Sequence, residues 1–549
     1  PPFSSKNWVN GFDPQNDLYG RFEKDEEESA KTGKAIYKTP PEKNGDYAFL
    51  LHILKSLRST GKGACILPHG VLFRGNAEAE IRKSLIQRGY IKGIIGFPAN
   101  LFFGTGIPAC VIVLDKEGAD ERKHIFLIDA SKGFIKDGNK NRLREQDIHK
   151  IVDVFTKQTD IPKYSRLVSI EEISDPKNDY NLNIPRYIDS QETEDIQDIE
   201  AHLSGGIPNA DIEALNEYWE VYPSLKAELF NASKRENYSD LKIEKELVKQ
   251  TIFNHPEFTA FSKEMGKVFE AWKTKNTQIL KALEKGFKPK ELVFRISEDI
   301  LATYTGHSLM NKYDVYQHLM DYWNDIMQDD CYYLAVEGWK AELTITKQTK
   351  SVTEWDCDLV PKALVIDRYF LTEKQAIEKL EAEKEAIATE ITELEEEHNT
   401  EEGLLADVPD KVNKGNVLKR LKAIDTPKLK TENAEEIKVL KAYLKLIDDQ
   451  TALNKKIKEA LADLDKKVIE RYKTLTVDEI KQLVVDDKWM SVLERDVKTE
   501  MERISQRLTQ RIKELAERYE TPLPEQTEEV KLLEEKVNAH LAKMGFTFK

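Results

Sequence analysis

The first three residues of the chain, Pro1, Pro2 and Phe3, could hold a planar ring that carries an amine. Proline fixes its own φ and leaves a free carbonyl, which can accept a hydrogen from the amine and turn the nitrogen lone pair toward a methyl donor. The aromatic side chain can stack on a base that has swung out of a duplex. These residue types are compatible with methyl transfer to a base amine, but the Pro-Pro dipeptide alone is a weak signal, and such a chain start is more often an ordered piece of linker.

Read with an Asn or Asp in front of Pro1, the segment becomes the Asn-Pro-Pro-Phe motif of amino-group methyltransferases. We therefore expect this chain to be the later part of a longer enzyme, interrupted within its catalytic loop. Proteolysis, engineering and a separate reading frame are all open as causes. The rest of residues 1–45 is polar, with an acidic run from Glu23 to Glu28, and is predicted to be irregular.

Composition limits the class of protein. The 549 residues carry a net charge of −15, and the mean hydropathy is −0.57. The chain has no run of about 18 apolar residues, so we predict no membrane span and expect a cytoplasmic protein. The acidic balance argues against nucleic-acid binding by the whole surface, although it allows a local basic face. Reduced, buried thiols and no metal site are predicted because the cysteines lie far apart, at Cys65, Cys110, Cys331 and Cys357.

Helical periodicity alternates with short apolar runs over residues 46–190, which predicts an α/β sheet with helices on both faces. The predicted elements are helices from Asp46 to Arg58, Ala77 to Gln87 and Asp147 to Phe155, and strands from Ala64 to Leu67, Ile91 to Phe97, Ala109 to Leu114 and His124 to Ile128. Because no helix separates the last three strands, we predict that they form an antiparallel edge. Gly104-Thr105-Gly106 is predicted to be a turn between strands.

Strand signals vanish after about residue 196, and residues 209–345 are predicted to form a globular helical domain. Apolar residues then repeat at intervals of three and four over 377–398 and 437–468. The two patterns predict a coiled-coil hairpin about 40 Å long. This hairpin is either a strut along the chain's own helical domain or an arm that docks on another subunit.

The most specific signal is a set of segments taken together. They are Pro1 to Phe3, Ala48 to Leu50, Cys65 to Gly75, Glu80 to Lys83, Asn100 to Pro108, Val111 to Leu114, Asn178 to Tyr187, Val484 to Met490, Arg511 to Tyr519 and His540 to Gly545. Together they resemble the modification (M) subunit of type I restriction–modification systems, an N6-adenine DNA methyltransferase.

The resemblance implies a partial Rossmann-like methyltransferase sheet, followed by a largely α-helical region with a coiled-coil hairpin. It also implies S-adenosylmethionine as cofactor, and DNA, a specificity (S) subunit and a restriction (R) subunit as partners. The predicted domains are a catalytic-loop remnant and irregular segment over 1–45, the later part of the methyltransferase domain over 46–195, a helical domain over 196–365, the hairpin over 366–475 and C-terminal helices over 476–549.

One part of the family's pattern is missing. The glycine-rich cofactor loop and the acidic residue that binds the cofactor ribose should precede the catalytic loop, and this sequence has neither. We therefore expect an incomplete cofactor site and an inactive fragment. A sheet that lacks its upstream strands should expose an unpaired edge, which favours self-association.

The resemblance assigns roles to a few residues. Phe3 is expected to stack on the flipped adenine, while Pro1 and Pro2 set the loop. Phe49 is expected near the cofactor and base pocket, with core packing as the alternative. His69 follows a strand end, where open sheets place their sites, and an ordinary loop histidine is the alternative.

Four basic residues are candidates for contact with DNA phosphates, namely Lys136, Lys140, Arg142 and Arg144. Loss of such contacts weakens binding with little effect on sequence preference. The alternative is a solvated loop.

Two classes of function are compatible with these patterns. The first is a subunit of an adenine methyltransferase. The second is a non-catalytic helical assembly module that docks a DNA-specificity subunit. A coiled-coil scaffold unrelated to DNA does not account for residues 46–190.

Overall fold

The structure is a computed structural model that describes residues 2–11, 13–14, 17–22, 39–190, 197–348, 353–398, 403–408 and 411–546. Pro1 and the acidic run from Glu23 to Glu28 lie outside these residues. The chain divides into two compact units. The first consists of Pro1–Val268, Ser297–Asp321 and Val497–Lys549, and the second of Phe269–Ile296 and Tyr322–Asp496.

A five-stranded sheet with strand order β1-β3-β2-β4-β7 lies at the centre of the first unit. The strands up to residue 169 are β1 Lys62–Pro68, β2 Ile91–Gly96, β3 Ala109–Asp115, β4 His124–Asp129, β5 Ile135–Asp137, β6 Lys140–Arg142 and β7 Ser165–Ser169. β3 is antiparallel to β1 and β2, β4 is parallel to β2, and β7 is antiparallel to β4. Consequently β1, β2 and β4 all run in the same direction.

The predicted antiparallel edge of three consecutive strands is wrong. β3 lies between β1 and β2, and β4 pairs with β2 in parallel. An inner position suits β3 because Cys110, Ile112 and Leu114 on one of its faces are all buried. The turn that contains Gly104 and Gly106 joins β2 to β3, as predicted.

Apolar layers pack on both faces of the sheet. Ile125 and Leu127 of β4 belong to one buried cluster, and the alternating Phe126 and Ile128 belong to another. The first cluster is completed by helices α1 Asp46–Ser56 and α2 Ala77–Gln87, and the second by α3 Glu145–Lys157. β1 ends the sheet, and Ile66 on it is 39% exposed. Self-association through this edge stays a prediction.

The prediction that strands cease after residue 196 is also wrong. A second sheet, with order β8-β10-β9, follows in the first unit. Its strands are only two to four residues long, too short to show an alternating apolar pattern. The strands are β8 Ile207–Pro208, β9 Phe230–Ala232 and β10 Tyr238–Leu241. Helix α4 Ile170–Ser174 directly follows β7, and the helices after residue 196 are α5 Ile199–Ser204, α6 Asn209–Glu213, α7 Asn216–Val221, α8 Pro223–Leu229 and α9 Val248–Asn254.

The rest of the chain is mainly helical, apart from the β-hairpin of β11 Thr344–Gln348 and β12 Thr353–Asp356. The helices are α10 Pro256–Lys281, α11 Pro289–Thr303, α12 Lys312–Tyr322, α13 Gln328–Glu337, α14 Lys362–Tyr369, α15 Leu371–His398, α16 Lys414–Ala423, α17 Pro427–Glu432, α18 Ala434–Thr474, α19 Val477–Lys481, α20 Ser491–Tyr519 and α21 Leu523–Lys543. Two π-helical segments, Trp323–Met327 and Gln482–Met490, interrupt them.

In the second unit α15 and α18 pack against each other, as their apolar periodicity predicted. The Nζ of Lys467, near the end of α18, lies 3.5 Å from Oε1 of Glu373, near the start of α15. At the other end of the pair, Ile391 of α15 and Leu440 of α18 share one buried cluster. The two helices therefore run antiparallel as a hairpin.

All four cysteines are buried. None of the helices described is long and apolar enough to cross a membrane. Within the same residues, no group of three or more His, Cys, Asp and Glu side chains is arranged to hold a metal ion.

Candidate active site

The carboxyl edge of the five-stranded sheet is the natural place for a ligand site in this fold. β1, β2 and β4 end there at Pro68, Gly96 and Asp129, and β3 begins there because its Ala109 pairs with Pro68. Backbone hydrogen bonds between neighbouring segments hold the chain in place where it leaves these strands. The His69 amide, for example, donates to the Pro108 carbonyl at 2.9 Å.

The structure places Phe3 against the loop that follows β2 at this edge. The rings of Phe3 and Phe102 lie edge to face, with centroids 5.8 Å apart. Phe3 is half-buried and Pro2 is exposed. Sequence reasoning selected Phe3 but not Phe102, although Phe102 belongs to one of the segments that carry the family resemblance.

The β2–β3 loop is held in a defined conformation. Lys140 donates from Nζ to the carbonyls of Phe102, at 2.9 Å, and Thr105, at 3.1 Å. The Asn141 amide donates to the Asn100 carbonyl at 2.9 Å. The anchored loop carries Phe103 at its tip, where the ring is 94% exposed. Phe103 is therefore an exposed aromatic residue on a fixed loop, next in sequence to the Phe102 that contacts Phe3.

The segment around Phe3 is tied to the domain through its neighbour Ser4. The Ser4 amide donates to Oδ1 of Asp46 at 2.7 Å, and Nη1 of Arg74 donates to Oδ2 of the same carboxylate at 2.8 Å. Asp46 begins α1 and Arg74 precedes α2, so two helices contribute to the anchor. Neither residue was predicted to belong to the site.

Arg82 on α2 fixes the turn that carries Arg74. Its guanidinium is buried and donates to the backbone carbonyls of Tyr180, Val71 and Arg74 at 2.8, 3.1 and 3.0 Å. The turn after β1 is therefore bonded to both α2 and the segment near residue 180.

His69 and Phe49 both lie in this part of the first unit. Burial lowers the pKa of His69, although the charge of Asp129 opposes the shift, so the imidazole is neutral at pH 7. Its ring lies edge-on to Phe73 at 6.0 Å, and its buried Nε2 has no hydrogen-bond partner among the residues that the structure describes. Phe49 is half-buried on α1, so core packing does not account for all of its surface.

The four basic candidates fall into two groups. Lys140 is occupied by the β2–β3 loop, and Arg144 pairs with Asp147 through bonds of 2.9 and 3.0 Å. Lys136 and Arg142 are exposed on the β5–β6 hairpin, where the sequence had indicated only a charged loop. This outer pair also has partners within the hairpin region, because Nε of Arg142 lies 3.4 Å from Oδ2 of Asp137 and Nζ of Lys136 lies 5.6 Å from the centre of the Phe134 ring, but both side chains remain exposed.

The described residues can be compared with what S-adenosylmethionine binding requires in a Rossmann-like sheet. Gly104 and Gly106 join two antiparallel strands, so they do not form the strand-to-helix turn of a Rossmann site. Phe49 offers an apolar surface but no charge for the ribose or the amino-acid moiety. The residues that the structure describes therefore do not fit a complete site for this cofactor.

Part of the chain is similar to known proteins. Residues 1–196 match the family model described as N-6 DNA Methylase. The type I restriction enzyme MjaVII methylase subunit of Methanocaldococcus jannaschii is 41% identical over 162 residues, which are 29% of this chain and 27% of the relative. The MpnII methylase subunit of Mycoplasma pneumoniae is 33% identical over 159 residues, which are 29% of this chain and 29% of the relative.

A solved structure is also similar. The methyltransferase subunit of a type I restriction-modification system from Streptococcus thermophilus is 48% identical, covers 28% of this chain and 32% of its own, and has a TM-score of 0.26.

The first 196 residues are thus similar to N-6 DNA methylases. The resemblance to type I restriction–modification methylase subunits is confirmed by the relatives themselves. The matched region spans less than a third of the length of these curated relatives. The activity, substrate and partners of the complete protein are therefore proposed below.

Proposed function

We propose that the complete protein is the modification subunit of a type I restriction–modification system. In this role it transfers a methyl group from S-adenosylmethionine to N6 of adenine in DNA, in the cytoplasm. The observation that carries the proposal is the position of Phe3, which lies against Phe102 at the carboxyl edge of the sheet, within a match to N-6 DNA methylases.

The residues of this chain act on the base. Phe3 stacks on the flipped adenine, and the carbonyls of Pro1 and Pro2 are candidate acceptors for the N6 hydrogens. Phe102 supports the Phe3 ring from the side, because an edge-to-face contact leaves a ring face free for stacking. Phe103, which is exposed on the same loop, contacts the DNA from which the base has left.

DNA backbone contact is assigned to the exposed pair on the β5–β6 hairpin. Lys136 and Arg142 can reach phosphates, whereas Lys140 and Arg144 act inside the protein by holding the β2–β3 loop and Asp147. This division refines the phosphate role that the sequence suggested for all four residues.

Helix α21 is our candidate for the surface that binds another subunit, because it exposes a row of apolar side chains. None of its residues is buried, although Leu523, Val530, Leu533 and Val537 recur along one face. A helix with an open apolar stripe needs a partner helix. We assign this stripe to the specificity subunit, which the family resemblance implies together with a restriction subunit. The α15–α18 hairpin remains the second candidate arm, and an assembly module without catalysis remains the alternative function.

The test uses the complete protein with its specificity subunit, unmethylated DNA and S-adenosylmethionine carrying a labelled methyl group. Analysis of the digested DNA should show label in N6-methyldeoxyadenosine. Label in a cytosine, or none in DNA, would overturn the proposal. A DNA already methylated by the same enzyme is the matched control and should take up no further label.

A further inference from the structure

We infer that the ion pair between buried Asp46 and half-buried Arg74 positions the Phe3 segment for methyl transfer. The two would be positioning residues, because they act through Ser4 and do not touch the base. The inference rests on the proposed function, since it assigns a task to residues that hold the proposed stacking ring.

Asp46 is the centre of the anchor. It is fully buried, and its carboxylate accepts from the Ser4 amide at 2.7 Å, from Ser4 Oγ at 3.4 Å and from Arg74 Nη1 at 2.8 Å. A buried carboxylate is stable only when its oxygens are paired in this way. The first residues of the chain therefore complete the hydrogen bonding of a charge that α1 has already buried.

The backbone at Ser4 shows that the anchor imposes a conformation. Ser4 has a φ of +50°, in the left-handed region that L-residues adopt when their surroundings hold them there. On its other side, the Ser5 carbonyl accepts from the Gly45 amide at 3.0 Å. Bonds on both sides of Ser4 fix the direction in which the preceding Phe3 projects.

Arg74 is itself held in place. Its carbonyl accepts from buried Arg82, and its guanidinium lies over Gly70, where a Cβ would come within 2.7 Å of Nε. Arg74 also contacts a second buried carboxylate, Glu78, at 3.4 Å. The Arg74 guanidinium thus contacts the carboxylates of both Asp46 and Glu78. Burial raises the pKa of Glu78, and the positive charge of Arg74 opposes that shift. Loss of the Asp46 charge would leave Arg74 with Glu78 and release Ser4.

Two variants separate this role from general stability. Asp46→Asn removes the charge with little change in shape. Ser4→Pro leaves the ion pair intact, but it deletes the amide donor and cannot adopt a positive φ. The matched control is Asp115→Asn, the same change at a buried carboxylate that pairs with Lys92 at 3.1 Å at the opposite end of β3.

The first measurement is hydrogen exchange at the amides of residues 3–8 in this chain. The second is the single-turnover methylation rate and the KM for DNA in the complete protein with its specificity subunit. In Asp46→Asn we expect exchange to rise and the rate to fall, each about tenfold or more, with KM unchanged within about twofold. Ser4→Pro should lower the rate similarly, and Asp115→Asn should change neither quantity.

The outcomes are distinguishable. A normal methylation rate in Asp46→Asn or in Ser4→Pro overturns this inference and leaves the proposed function standing. An equal fall in Asp115→Asn also overturns it, because the effect would then be one of stability. If the wild-type protein methylates no DNA, the proposed function fails, and this inference fails with it.

Discussion

Arg82 is the single residue whose loss should weaken the first unit most. Its buried guanidinium donates to three backbone carbonyls, and that of Val71 also accepts from the Tyr47 hydroxyl at 2.8 Å. Arg82→Met keeps the apolar bulk but removes this donor from all three carbonyls. We expect the free energy of unfolding to fall by about 3 kcal/mol, measured by urea denaturation. The exposed Arg142→Met is the control, and equal effects in the two variants would contradict this role.

His69 should make stability depend on pH. Burial lowers its pKa from the ordinary value of 6.5, so between the folded and unfolded pKa values the unfolded chain binds more protons. Stability is therefore lost as pH falls below 6.5 toward the folded pKa. His69→Asn should reduce the difference between urea midpoints at pH 7.5 and 5.5 relative to wild type. His540→Asn, at an exposed site on α21, should leave that difference unchanged, and an unchanged difference in His69→Asn would refute the idea.

The sequence reveals a site residue when its immediate neighbours in the chain form a known motif. It does not reveal a site residue whose role depends on contacts with residues that are distant in the sequence. Phe3 is of the first kind, because the Pro-Pro-Phe motif alone identifies it as a candidate. Asp46 reads only as an acidic residue at a helix start, because its partners Ser4 and Arg74 are distant in sequence. From the sequence, Lys140 was predicted to contact phosphate because only its charge is visible there. The structure shows that its Nζ donates to backbone carbonyls of the β2–β3 loop.

At the scale of elements, α21 is the surface that most needs a partner. We expect Leu533→Asp to abolish co-purification with the specificity subunit, because it places a charge in the apolar stripe. Leu532→Asp is a matched control, since Leu532 is 52% exposed and Leu533 51%, but Leu532 lies on the opposite face. Loss of binding in both variants, or in neither, would contradict the assignment. If deletion of 372–470 abolishes binding while Leu533→Asp does not, the hairpin is the docking arm.

Long helices and the packing of α15 against α18 were predictable, whereas the order of the strands in the sheet was not. α2 has the predicted limits, and the apolar periods of α15 and α18 predicted that they pack together. The position of β3 between β1 and β2 was missed, because strand order depends on contacts that a periodic pattern does not encode. Short strands such as β8, with two residues, have no period to detect.

At the scale of the whole molecule, we expect this chain alone to bind S-adenosylmethionine weakly. The sequence has no glycine-rich strand-to-helix turn, and Gly104 and Gly106 serve as a turn between antiparallel strands. Titration calorimetry should detect no micromolar binding. A free energy near −8 kcal/mol, equivalent to about 1 μM, would show that the chain holds a cofactor site of its own.

The central claim is that Phe3 stacks on the target base of an adenine methyltransferase. The most direct test is the single-turnover methylation rate of Phe3→Ala in the complete protein with its specificity subunit and DNA. Stacking is worth about 1–3 kcal/mol per base, so the rate should fall about fivefold to a hundredfold. Phe3→Trp, which keeps an aromatic face, should retain most of the rate. An unchanged rate in Phe3→Ala would contradict the account.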